Sequence, residues 1–284
     1  MIDDNVAARP QAGFNAASVV YQAPADGGED RYLLVFQEGD AQTVGPVRSG
    51  RPYFVRWAAE FRSAFGHYGG DAKTLQQVIP PINGTLIYDV DALRNAAGAY
   101  HRDTARPKPH NAYTSTAVFR KVALRVGAPD AMAPDASSWT FVDDRPPAER
   151  PGRGTISIPY SRGAAGYTYD RAANAYLRSV AGKPHIDAGD RQRVTARNVI
   201  VLFMALSYDP ESEPGYRRPV LDQIGTGKAI VFRDGAMIHG TWRKDSTGAL
   251  TRFFDESGAE VSLVRGSIFI QVVPTGTRVT TTFR

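Results

Sequence analysis

Residues 225–244, GTGKAIVFRDGAMIHGTWRK, place the tightest local constraint on the chain. Two runs rich in β-branched and aromatic residues flank a short Asp-Gly turn, a pattern that predicts a strand-turn-strand hairpin. Around it, TISIPY, YTYDRAANAYLRSVAG, VTARNVIVLFMAL, LTRFFDESG and SIFIQVVP continue the strand signal, several joined by short Gly, Asn or Asp turns. Residues 154–284 are therefore expected to form a strand-rich, largely antiparallel domain.

The first half mixes signals. ASVVYQA and RYLLVFQ read as paired strands with PADGGED as the loop between them, and GTLIYDV as a further strand. RPYFVRWAAEFRSAF places Phe54, Trp57, Ala58, Phe61 and Phe65 at helical spacing, with Ser49 or Gly50 as N-cap and Pro52 in the first turn. Further helices are expected over DAKTLQQV, capped by Asp71, over DALRNAAGAYHRD, and over TSTAVFRKVALRVG, stopped by Gly127. The fold class is α+β, with a mixed N-terminal domain at 1–127 and the strand-rich domain at 154–284. The Pro-, Asp- and Gly-rich stretch 128–153 between them reads as a linker or excursion.

Composition narrows the chemistry. With no cysteine, disulfide frameworks, thiolate metal sites and cysteine nucleophiles are removed. Lys and Arg total 34 against 29 acidic residues, interleaved rather than blocked, giving a formal charge of +5. That balance suits an anionic small molecule or polymer, and no helix-turn-helix, zinc finger or ribonucleoprotein pattern points to nucleic acid. Nucleotide-loop, dinucleotide, nucleophile-elbow and H-E-x-x-H motifs are missing, so no cofactor is expected. His185 and Asp187 in KPHID lack further convincing ligands, and no metal site is assigned. The first 30 residues show no export signal, and the opening MIDD reads as the tail of a strand begun upstream.

Three groups of residues can carry chemistry. In TVGPVRSGRPYF, Arg48 and Arg51 flank Ser49 and Gly50 at the mouth of a helix, where the dipole already favours negative charge. Guanidinium groups there call for a bound anion or for a buried acid such as Asp3, Asp4 or Asp26. The polar loop HRDTARPKPHNAYTS brings Lys108, His110 and Asn111, and GHYGG brings His67 between glycines.

The ordered segments MIDDNVAARPQAG, SVVYQAPADGGEDRYLLVF, VGPVRSGRPYFVRWA, HYGG, PHNAYTS, AYLRSVAGKPHID, ARNVIVL and GKAIVFRDGAMIHGTWRK together resemble the YerB-like family of bacterial proteins, a group of unknown function. The resemblance spans nearly the whole chain. It implies an α+β fold and an exported lipoprotein or envelope protein, in the cell envelope or outside the cell. Any membrane attachment would run through an upstream lipid anchor, and this sequence shows neither that cysteine nor an export signal. Asp26 stands where the family carries an acid before Gly-Gly, with Arg31 after it. Asp4, Arg9, Arg31, Arg48, Arg51, His67, His110 and Asn111 fall inside the matching blocks, although the family hands down no catalytic role.

The expected function is binding of a phosphate- or carboxylate-bearing cell-wall ligand in a cleft lined by Arg31, Arg48, Arg51 and His110, with Arg9, Ser49, Tyr53, Lys108 and Asn111 around it. One alternative is a hydrolase or transferase on such a glycopolymer, pairing Asp4 or Asp26 with His67 or His110. Another is a scaffold that docks a protein partner through an exposed sheet edge.

Overall fold

The structure is a computed structural model and describes residues 1–132, 138–212 and 215–283. It is 13% helix and 38% strand, an α+β fold with few helices. The spine is an eight-stranded mixed sheet. Its order is Ile2–Asp3 (β1), Asp30–Val35 (β3), Val19–Pro24 (β2), Ile268–Pro274, Asn198–Met204, Gly225–Arg233, Ala236–Lys244 and Arg252–Asp255. The Ile268–Pro274 strand lies parallel to both β2 and Asn198–Met204, so the two halves of the sequence share one sheet.

The central strands read as continuous apolar runs because both of their faces are covered. Tyr21, Ile200, Leu202, Ile270 and Val272 enter one core with α1 (Pro52–Ala59). Val20, Val199, Val201, Phe269 and Val273 enter another against a six-stranded sheet. That second sheet is built from Thr155–Ile158, Ala165–Asp170, Ala175–Val180, Lys183–Pro184, Thr195–Ala196 and Thr280–Thr281. The expected hairpin forms at Gly225–Arg233 and Ala236–Lys244, with Asp234 and Gly235 both at positive φ, 51° and 69°.

Several local expectations are corrected. The first helix spans only Pro52–Ala59, and Phe65 belongs to the strand Ala64–His67. Its N-cap is Arg51, without a side-chain cap, rather than Ser49 or Gly50; Pro52 does occupy the first turn. Tyr53, Phe54, Val55, Trp57, Ala58 and Ala59 are all buried, so the helix is enclosed on most sides rather than along one stripe. Trp57 stacks on Tyr21 with ring centroids 4.9 Å apart.

DALRNAAGAYHRD is not a helix. Tyr88–Asp91 is a strand, and the chain then turns back to a two-residue strand at His101–Arg102. The Asp91 carboxylate accepts the Gly69 and Leu93 amides, while Asn95 bonds the Asp91 amide and the Asp89 carbonyl. Asp and Asn side chains that satisfy nearby backbone groups compete with helix formation. DAKTLQQV is helical as expected, Ala72 and Lys73 leading into a π-type turn at Thr74–Val78, with Asp71 accepting from the Thr74 amide. The last helix, α2 (Thr116–Arg125), is capped by Ser115, whose hydroxyl accepts the Val118 amide. Part of the 128–153 stretch lies outside the described residues.

Candidate functional site

Strand alternation divides the first carboxylates of the chain. The Asp3 side chain turns to one side of β1, toward the loop after His101, and Asp4 turns to the other, into the space between the sheets. Asp3 is fully buried, and its Oδ2 lies 2.6 Å from His110 Nδ1 and 3.1 Å from Arg48 Nε. The arginine contact is misaligned for a hydrogen bond and is ionic in character. The His110 and Arg48 side chains are 16% and 18% exposed. Among the described residues, His110 Nε2 and the terminal nitrogens of Arg48 have no partner and are not enclosed.

The second arginine is answered from inside. Arg51 Nε donates to Asp26 Oδ2 at 2.6 Å, its Nη2 pairs with the same oxygen, and Asp71 lies 3.7 Å from Nε. Tyr53 donates to the Pro24 carbonyl at 2.8 Å. Arg31, 1% exposed, donates to the Ser49 carbonyl at 3.0 Å, while its Nε has no partner. Burial, then the nearby Arg51 charge, lowers the Arg31 pKa. Arg31, Arg48 and Arg51 thus crowd together, with Asp3, Asp26 and Asp71 as their carboxylates.

The polar loop is held against the first residues of the chain. Arg106 donates to the Ala8 and Pro10 carbonyls, and Asn111 donates to those of Asp103 and Arg106 while accepting from Arg102. Asn111 is therefore a buried loop brace, whereas Lys108 is exposed. His67 is enclosed, 2.7 Å from Asp89 Oδ1 and 2.7 Å from the Gly69 carbonyl, so both of its ring nitrogens are occupied within the protein.

Asp4 heads a different network. It accepts from Arg9 Nε at 2.9 Å, Gln11 at 3.0 Å and the Tyr32 hydroxyl at 2.9 Å. Tyr32 in turn accepts from Arg178, which also bonds Gln22, Tyr167 and His185. Burial raises the Asp4 pKa against the pull of Arg9. His185, also short of solvent, is pushed well below the usual histidine range by burial and then Arg178. Asp187 accepts the Gly13, Asn15 and Gly189 amides, so KPHID braces the N-terminal loop. No cluster of three or more potential metal-ligating side chains occurs among the described residues.

The sequence reading missed Asp3 as the partner of both Arg48 and His110, although it named Asp3 as a possible internal acid. It missed Asp30 altogether. Asp30 is 2% exposed with an unpartnered Oδ2, and lines the cleft between the Asp26–Gly28 turn and the hairpin of Leu206–Tyr208 and Pro219–Leu221. The acid-rich DGGED segment was its only sequence signal.

Sequence and fold together group the chain with a known protein family. Residues 1–128 match the N-terminal domain, and residues 156–270 the C-terminal domain, of the protein family of unknown function DUF3048; the chain belongs to that family. It is 30% identical over 281 residues to the protein named "Putative lipoprotein YerB" of Bacillus subtilis (strain 168), covering 96% of this chain and 80% of the relative. The crystal structure of YerB from Bacillus subtilis superposes with a TM-score of 0.82 at 25% identity, covering 99% of this chain and 91% of that one.

Proposed function

We propose that the chain is a cell-envelope protein that binds a phosphate- or carboxylate-bearing ligand at Arg48 and His110. One observation supports this reading: both side chains are anchored on a single buried oxygen of Asp3 and turn unpartnered nitrogens outward. Two donors fixed by one carboxylate lose little freedom on binding an anion, which favours affinity. The neighbouring Arg31 adds positive charge and, among the described residues, hydrogen-bonds the Ser49 carbonyl rather than a carboxylate. The envelope location follows the lipoprotein name of the relative.

A second reading has its own observation. A buried carboxylate behind Nδ1 fixes the imidazole and leaves Nε2 as the proton acceptor, the arrangement of a general base. In that case Arg48 would stabilise charge developing on a phosphoryl or acyl oxygen of a glycopolymer.

A thermal-shift screen against inorganic phosphate, sugar phosphates, muropeptides and teichoic-acid fragments tests the binding reading. Stabilisation of the wild type that disappears in Arg48→Ala/His110→Ala supports it, and an equal shift in the double variant overturns it. Turnover of a stabilising ligand, lost in His110→Gln, selects the general-base reading.

A further inference from the structure

We infer that the cleft around Asp30 is a second ligand site, separate from Arg48 and His110, and that it takes a hydroxyl-rich ring of the sugar class. The cleft holds about 470 Å³, within the range of about 300–1,000 Å³ typical of small-ligand sites. Asp30 forms part of its lining, and its Oδ2 is a buried hydrogen-bonding atom without a partner among the described residues. An enclosed carboxyl oxygen left unbonded costs free energy, and nearly all such atoms in folded proteins are satisfied. A ligand hydroxyl entering the cleft beside Asp30 supplies the missing bond.

The walls fit the same ligand. Gly27 and Gly28, at φ of 66° and 72°, carry the chain round a turn that leaves no side chain over the opening at Gly28. Ser161 closes one side by donating to the Gly28 carbonyl. On the other side the guanidinium of Arg217 sits 3.6 Å from the Tyr208 ring centroid, and Tyr208 is 42% exposed. Leu206, Pro159 and Pro274 complete an apolar lining. Apolar walls accept the C–H faces of a sugar ring, while Asp30 and Arg217 in the lining meet its hydroxyl or acetamido groups.

The Asp30 environment agrees with this geometry. Burial, reinforced by the Asp4 carboxylate, raises its pKa well above the usual carboxylate range despite Arg9, the Arg162 amide and the Arg162 guanidinium. The raised pKa favours the protonated carboxyl, which donates as well as accepts and so suits hydroxyl partners.

The sugar can belong to a glycan strand or be free in solution, and the probes separate these. Saturation-transfer NMR and calorimetry would use N-acetylglucosamine, its β-1,4 tetramer, glucose and maltotetraose. At least one probe is expected to bind the wild type, and to bind at least tenfold more weakly to Asp30→Asn and to the surface variant Tyr208→Ala, with Arg48→Ala unchanged. A tetramer much tighter than its monomer indicates a strand, and equal affinities indicate a free sugar. Failure of all four probes to bind overturns the inference, as does binding that neither variant weakens. Tyr208 lies at the rim, so its variant keeps the test valid should Asp30→Asn lose its fold.

Discussion

The imidazole of His110 stands 2.6 Å from the carboxylate of Asp3, although 107 positions separate them in the chain. The same oxygen lies 3.1 Å from Arg48, so one buried acid holds both an imidazole and a guanidinium. Replacing Asp3 by Asn should therefore weaken anion binding without touching either ligand-facing nitrogen. Hydrogen bonds to charged groups contribute about 1.5–3 kcal/mol, and a loss of about 2 kcal/mol is expected in urea denaturation. Anion affinity measured by calorimetry should fall with it; an unchanged affinity would separate binding from this carboxylate.

Glu60 and Lys244 form an ion pair at 2.9 Å with both side chains wholly enclosed, and Thr251 and Tyr21 bond the same carboxylate. Removing one partner strands the other charge away from water, at a cost of about 3–5 kcal/mol. Lys244→Met alone should show that loss in chemical denaturation. The double variant Glu60→Leu/Lys244→Met is expected to recover most of it, and additive losses would contradict the coupling.

Asp30 gives a pH-dependent signature. Its folded pKa is raised above 3.8, first by burial and then by Asp4, so the folded state holds the proton after the unfolded chain has released it. The wild type therefore loses stability as pH rises from about 4 toward that folded value, whereas an amide does not titrate. Asp30→Asn should raise Tm at pH 7 and change it much less at pH 3.5. A lower Tm for the variant at pH 7 would count against a raised pKa for this carboxyl.

Asp91 behaves in the opposite sense. Burial opposes its ionisation, but the Leu93 and Gly69 amides, His67 and Arg94 together hold its pKa below 3.8. That stabilisation is present above the unfolded value and disappears as pH falls through the folded one. Acid titration of Tm should accordingly show a steeper loss below about pH 4 in the wild type than in Asp91→Asn.

The strands were legible wherever local chemistry dictated them. Asp234-Gly235 could only turn tightly, and NVIVLFM and IFIQVV could only be central strands or buried helix, with β-branching deciding. The 91–103 segment was misread because Asp91 and Asn95 serve the backbone there, a choice that depends on Gly69 arriving from another element. The need of Arg48 and Arg51 for negative charge was readable from the helix mouth. Which acids answer them was not, because Asp3 and Asp26 are delivered by β1 and by the turn before β3. Asp30 was invisible because its significance lies in a cleft lined also by Leu206, Tyr208, Arg217 and Pro219, far along the chain.

The strand Ile268–Pro274 lies between β2 and Asn198–Met204, parallel to both. During synthesis β2 and β3 emerge early, yet one long side of β2 stays without its neighbour until residues 268–274 have been made. Pairings over such sequence distances form slowly, and an unpaired apolar edge invites association with other chains. The last central strand to leave the ribosome is thus the one that closes the sheet, making assembly of this molecule a late and cooperative event that truncation before residue 268 would prevent.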